Sequence, residues 1–114
     1  MIFSKEGEIY KIIRITGGQD NILGVSFDKF NSNKRTEVVQ WPIKEGHRIE
    51  TSEEEVLEQV LSGLEFINES LNTSYKLSKI YFLPSDKGLG SVYTLLICKL
   101  IRHYHNEGKF KEIE

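Results

Sequence analysis

The chain has 114 residues, a formal net charge of −2, 39% hydrophobic and 11% aromatic residues; that suits one domain with one core and excludes a basic nucleic-acid footprint over the whole molecule, so no direct nucleic-acid partner is expected. A single cysteine, Cys98, excludes an internal disulfide, and the start Met1-Ile2-Phe3-Ser4-Lys5 lacks the basic segment and apolar run of a signal peptide. No apolar stretch approaches the roughly 18–20 residues of a membrane span, so no membrane contact is expected and the expected location is cytoplasmic.

Glu8 to Thr16 is rich in β-branched residues and predicts a strand. Gly17-Gly18-Gln19-Asp20-Asn21 predicts a turn, because Gly and Asn accept positive φ. Ile22 to Asp28 predicts a second strand with Leu23, Val25 and Phe27 on one face, completing a hairpin. Asn31-Ser32-Asn33-Lys34 is a second turn, and Arg35 to Trp41 a third strand ended by Pro42. Lys44-Glu45-Gly46-His47 is a loop, after which Arg48 and Ile49 are candidates for a short edge strand.

At residue 51 the hydrophobic period changes from 2 to about 3.6. Thr51-Ser52-Glu53-Glu54 fits a capping box with Thr51 as the cap and Glu54 three residues on. The predicted helix spans about 52–72, with Gly63 inside it costing roughly 1 kcal/mol against Ala. Lys79 to Leu83 is a nearly continuous apolar run, the pattern of a central strand covered on both faces. Ser85 to Gly90 is a loop, Ser91 to about Asn106 a second helix, and Gly108 its stop. The order βββαβα predicts an α+β fold: a four-stranded, mainly antiparallel sheet packed with two helices. Val60, Leu64, Ile80, Phe82, Leu96 and Leu100 are the expected core, with Trp41 and Tyr81 as further core aromatics.

The first helix carries the most one-sided charge. From Glu50 to Leu71 there are seven acids and no Lys or Arg. At about 100° per residue, Val56, Val60, Leu64, Ile67 and Leu71 share one arc, with Leu57 and Leu61 at its edge. Glu54, Glu58, Glu65 and Glu69 form a separate stripe. Phe66 projects near Glu55 and Gln59, on the side expected to face water. A carboxylate row beside one aromatic suits a basic protein partner, although a run of Glu also makes an ordinary soluble helix.

Other candidate chemistry is sparse. Ser85-Asp86-Lys87-Gly88-Leu89-Gly90-Ser91 joins a strand to a helix, where phosphates bind backbone N–H groups. It resembles the Gly-x-Gly turn of acyl-CoA-dependent acetyltransferases, with Ser85 in place of that motif's basic or Gln residue. The alternative is a tight turn in which the glycines serve the backbone alone. His103 and His105 diverge by about 200° on a helix and make no metal pair. Cys98 lies mid-helix, away from any N-terminus that would activate it. No Gly-x-Ser-x-Gly elbow surrounds Ser85 or Ser91. Neither enzymatic turnover nor a cofactor or metal is expected.

From the acidic helix through Leu83-Pro84-Ser85-Asp86 to His105, this small, mildly acidic, disulfide-free chain of mixed strands and helices resembles the immunity proteins of bacterial contact-dependent growth inhibition. The resemblance is global rather than carried by a motif. It implies a cytoplasmic protein, monomeric when free, that binds a cognate toxin domain and blocks it, often by covering a nuclease active site. Such a toxin is expected to be basic, because nuclease clefts hold polyanions. The rival expectations are an enzyme using the Gly88–Gly90 loop for an acyl-CoA or phosphate ligand, and an acidic, dimeric secretion chaperone.

Overall fold

The structure, a computed structural model, describes residues 1–17, 20–30 and 32–113. Within the two turns expected before and after the second predicted strand, Gly18, Gln19 and Asn31 lie outside the described residues. The chain opens with β1 (Ile2–Glu6) and β2 (Ile9–Arg14), paired antiparallel with Glu6 opposite Ile9. The two-residue link Gly7-Glu8 turns because Gly7 sits at φ +59, the left-handed conformation that a type II′ hairpin requires at its first position.

β3 (Asn21–Phe27) pairs antiparallel with β2 and, on its other side, with β5 (Leu77–Phe82). β4 (Glu37–Gln40) runs parallel to β5, a pairing that needs a crossover; α1 (Glu53–Leu71) supplies it. After α2 (Val92–His105), the two-residue β6 (Lys111–Glu112) lies parallel to β1. The fold is α+β as expected, but the sheet is six-stranded and mixed, in the order β4-β5-β3-β2-β1-β6. The expected four-stranded sheet omitted β1 and β6. Neither announces itself: β1 is short with Ser4 in its middle, and β6 is two charged residues placed by what precedes them. Arg48 and Ile49 are exposed and form no strand.

One face of the sheet presents Ile12, Leu23, Val25, Ile80 and Phe82, and both helices pack there through Val56, Val60, Leu64, Ile67, Leu96, Ile97, Leu100 and Ile101. The six expected core residues are all buried. The opposite face carries no helix, which corrects the expectation that the central strand is covered on both sides. Trp41 and Tyr81 are half-buried there and stack at 5.9 Å rather than joining the main core. Trp41 lies flat because Gly24 is beneath it; a Cβ at that position would stand 2.9 Å from the indole Cη2. Lys11 reaches over the same ring, 5.4 Å from its centroid, and pairs with Glu6 at 3.3 Å.

Candidate functional site

The start of α1 sets which of its faces is free. The capping residue is Ser52, not Thr51, one residue later than expected: its Oγ accepts the Glu55 N–H at 3.2 Å and its hydroxyl lies 3.3 Å from the Glu55 carboxylate. Thr51 is withdrawn from capping because it is buried and its hydroxyl donates to the Asp86 carbonyl at 2.6 Å. Glu53, Glu54 and Glu55 then occupy the first turn, where carboxylates offset the positive end of the helix dipole.

Further along, α2 docks on the Gly63 side of α1. Any Cβ at Gly63 would run into the Ile97 side chain and stand 2.8 Å from the Thr94 carbonyl oxygen. The Thr94 hydroxyl donates to Gln59 O at 2.9 Å and the Cys98 thiol to Gly63 O at 3.4 Å. This close approach rotates the buried arc toward Gly63 and away from Leu61, while Leu57 still packs against the core. Leu61, expected at the edge of the core, is therefore 41% exposed. On the helix it neighbours Glu58 and Glu65, three and four residues away.

The predicted stripe is on the surface as a stripe. Glu54, Glu58, Glu65 and Glu69 are all exposed, and among the described residues none makes an ion pair or a side-chain hydrogen bond. No basic residue lies in the last turn of α1. Phe66 is 62% exposed, on the flank nearer α2. The acid row is thus bordered by one apolar side chain on each edge, Leu61 and Phe66. Leu61 escaped the sequence reading because the wheel alone does not say from which side the second helix arrives.

The other candidates separate. In the 85–91 loop a Cβ at Gly88 would stand 3.0 Å from the Tyr93 ring, a tight contact, and Gly90 sits at φ +62, where a side chain is strained. The loop faces inward: Asn21 Nδ2 donates to Lys87 O at 2.9 Å, and the Asp86 carboxylate accepts the Ile22 N–H at 3.1 Å. Burial pushes the Asp86 carboxyl above the usual range, with the nearby Asp20 adding to it and the Ile22 hydrogen bond opposing. His103 stacks on Phe3 at 3.7 Å and its Nε2–H donates to Lys109 O at 2.7 Å, whereas His105 pairs with the Tyr75 hydroxyl at 2.8 Å. Among the described residues no group of three or more His, Cys, Asp or Glu is arranged to hold a metal. The Cys98 thiol is pushed up by burial, with Arg102 opposing. No helix is long and apolar enough to cross a membrane.

The chain matches no known family model, and no curated protein or solved structure matches it significantly.

Proposed function

We propose that this chain is an immunity protein that binds and neutralises a basic toxin domain, such as a nuclease, through the exposed face of α1. One observation carries the reading: four unpaired carboxylates on one helix face, bordered by Leu61 and Phe66, which the fold leaves exposed. Unpaired surface carboxylates speed encounter with a positive cleft, and the apolar side chains flanking them hold the complex together where they lose water on contact. The acids would compete for the surface that a nuclease offers to phosphates, so occupation and inhibition become the same event.

The test is binding kinetics against candidate basic toxin domains, at two ionic strengths. Glu58→Lys with Glu65→Lys should slow association, most at low salt, because unpaired surface charges steer encounter with a partner of opposite sign. Phe66→Ala and Leu61→Ala should speed dissociation, by about 1–3 kcal/mol for an anchoring side chain. If all these variants bind and protect like the parent, α1 is only a solvated face and the reading fails.

A further inference from the structure

The segment after β3 departs from the acidic character of α1. Lys29, Lys34 and Arg35 follow Phe27 within eight residues, and β5 brings Lys76 and Lys79 to the same end of the sheet. Phe30 projects from this segment 91% exposed. A phenyl ring so placed adds nothing to the core, yet the backbone beside it is held by specific bonds. The Asp28 carboxylate accepts the Phe30 N–H at 3.1 Å and the Ser32 hydroxyl at 2.7 Å. Lys76 lies 3.7 Å from the same carboxylate and also donates to the Ser32 carbonyl.

The charge of Asp28 is thereby directed inward, onto Ser32, Phe30 and Lys76. Beside it lies a pocket of about 470 Å³ lined by Phe30, Ser32, Lys34, Arg35, Ser78 and Lys79, with Asp28 and Glu37 as its two acids. Glu37 stands opposite Lys79 in the β4–β5 register. Among the described residues Lys34 and Arg35 form no ion pair. The volume is that of a small-molecule site, three cations face its two acids, and one wall is a free aromatic face.

We propose that this pocket binds a nucleoside phosphate, free or as one unit of a single-stranded nucleic acid. Phe30 stacks the base, and Lys34 and Arg35 hold the phosphate. Stacking on an aromatic beside a short run of cations is how single strands are held without base-edge readout. The net charge of −2 argues against a polyanion lying across the whole molecule, not against one seated on this local patch.

The test is fluorescence anisotropy of labelled oligouridylate with the full chain, competed by uridine monophosphate, inorganic phosphate and polyglutamate. Binding displaced by the mononucleotide assigns the site to free nucleotide. Binding that only a second single strand displaces assigns it to the strand. In both cases Phe30→Ala should weaken binding roughly five- to a hundredfold with the melting curve unchanged. Arg35→Gln should flatten the logarithmic salt dependence by about 0.7 for each phosphate that the side chain no longer neutralises. Absence of binding overturns the proposal. So does displacement by polyglutamate with Phe30→Ala binding like the parent, which would mark a surface for an acidic protein instead. Phe66→Ala should leave nucleotide binding unchanged, so this site and the α1 face fail or stand separately.

Discussion

Single positions show why local preference and tertiary setting can oppose each other. On propensity alone Gly63→Ala should stabilise α1 by about 1 kcal/mol. In the folded chain the added methyl meets the Ile97 side chain and the Thr94 backbone, so the variant should instead be destabilised by roughly 1–3 kcal/mol through overpacking, read from urea unfolding. Gly108, expected to end α2 by a left-handed turn, has another use: a Cβ there would collide with the His103 ring. The left-handed residue is Glu107 at φ +56, where a side chain is strained. Asp86 gives a pH prediction. Burial holds its folded pKa above the unfolded value, so its contribution favours the fold below about pH 4 and is lost as pH rises through the folded pKa. Asp86→Asn keeps an acceptor for the Ile22 N–H and removes the half-buried charge. It should melt above the parent at pH 7, with the difference vanishing in acid; a variant that melts lower at pH 7 would show that the charge is needed.

At the scale of elements, α1 illustrates how a signal can be right in kind and displaced in place. Thr51 and Ser52 each stand three residues before a Glu, so both satisfy the capping pattern. Tertiary contact decides between them by taking Thr51 to the Asp86 carbonyl. Ser52→Ala should cost about 0.5–2 kcal/mol by removing the cap, measured by chemical denaturation. Leu64→Ala, inside the sheet-facing arc, should cost about 2–5 kcal/mol. A smaller cost for Leu64→Ala than for Ser52→Ala would mean that the arc is not packed as described. β6 is the converse case. No pattern in Lys111-Glu112 predicts a strand; it is placed by Phe110 and His103, which pack on Phe3, and by the Ile113 N–H donating to Lys5 O at 2.8 Å.

Across the whole molecule, charge is segregated although its total is small. Residues 51–114 hold ten acids against seven bases, and the excess sits on α1. The bases Lys29, Lys34, Arg35, Lys76 and Lys79 gather where β3 ends and β5 begins. Reversal of Glu58 and Glu65 should therefore leave the melting temperature near the parent's, since both carboxylates are exposed and unpaired, while changing association with a basic partner. A large fall in melting temperature would show that these acids support the fold.

The hydrophobic periods of this sequence determined the two helices, the strands β2 to β5, the buried residues and the row of acids on α1, because a period depends only on neighbours along the chain. Tertiary structure alone decided three other things. It placed β1 and β6 in the sheet, since pairing partners far apart in sequence leave no local trace in such short strands. It left Trp41 and Tyr81 on a helix-free face, since both helices dock on the other side. It exposed Leu61 and turned Gly63 inward, because the direction from which α2 packs sets the width and rotation of the buried arc. The acid stripe and Phe66 beside it were legible because the pattern repeats at helical spacing; the second border, Leu61, and the pocket beside Phe30 were not, because each depends on which surface the rest of the chain leaves uncovered.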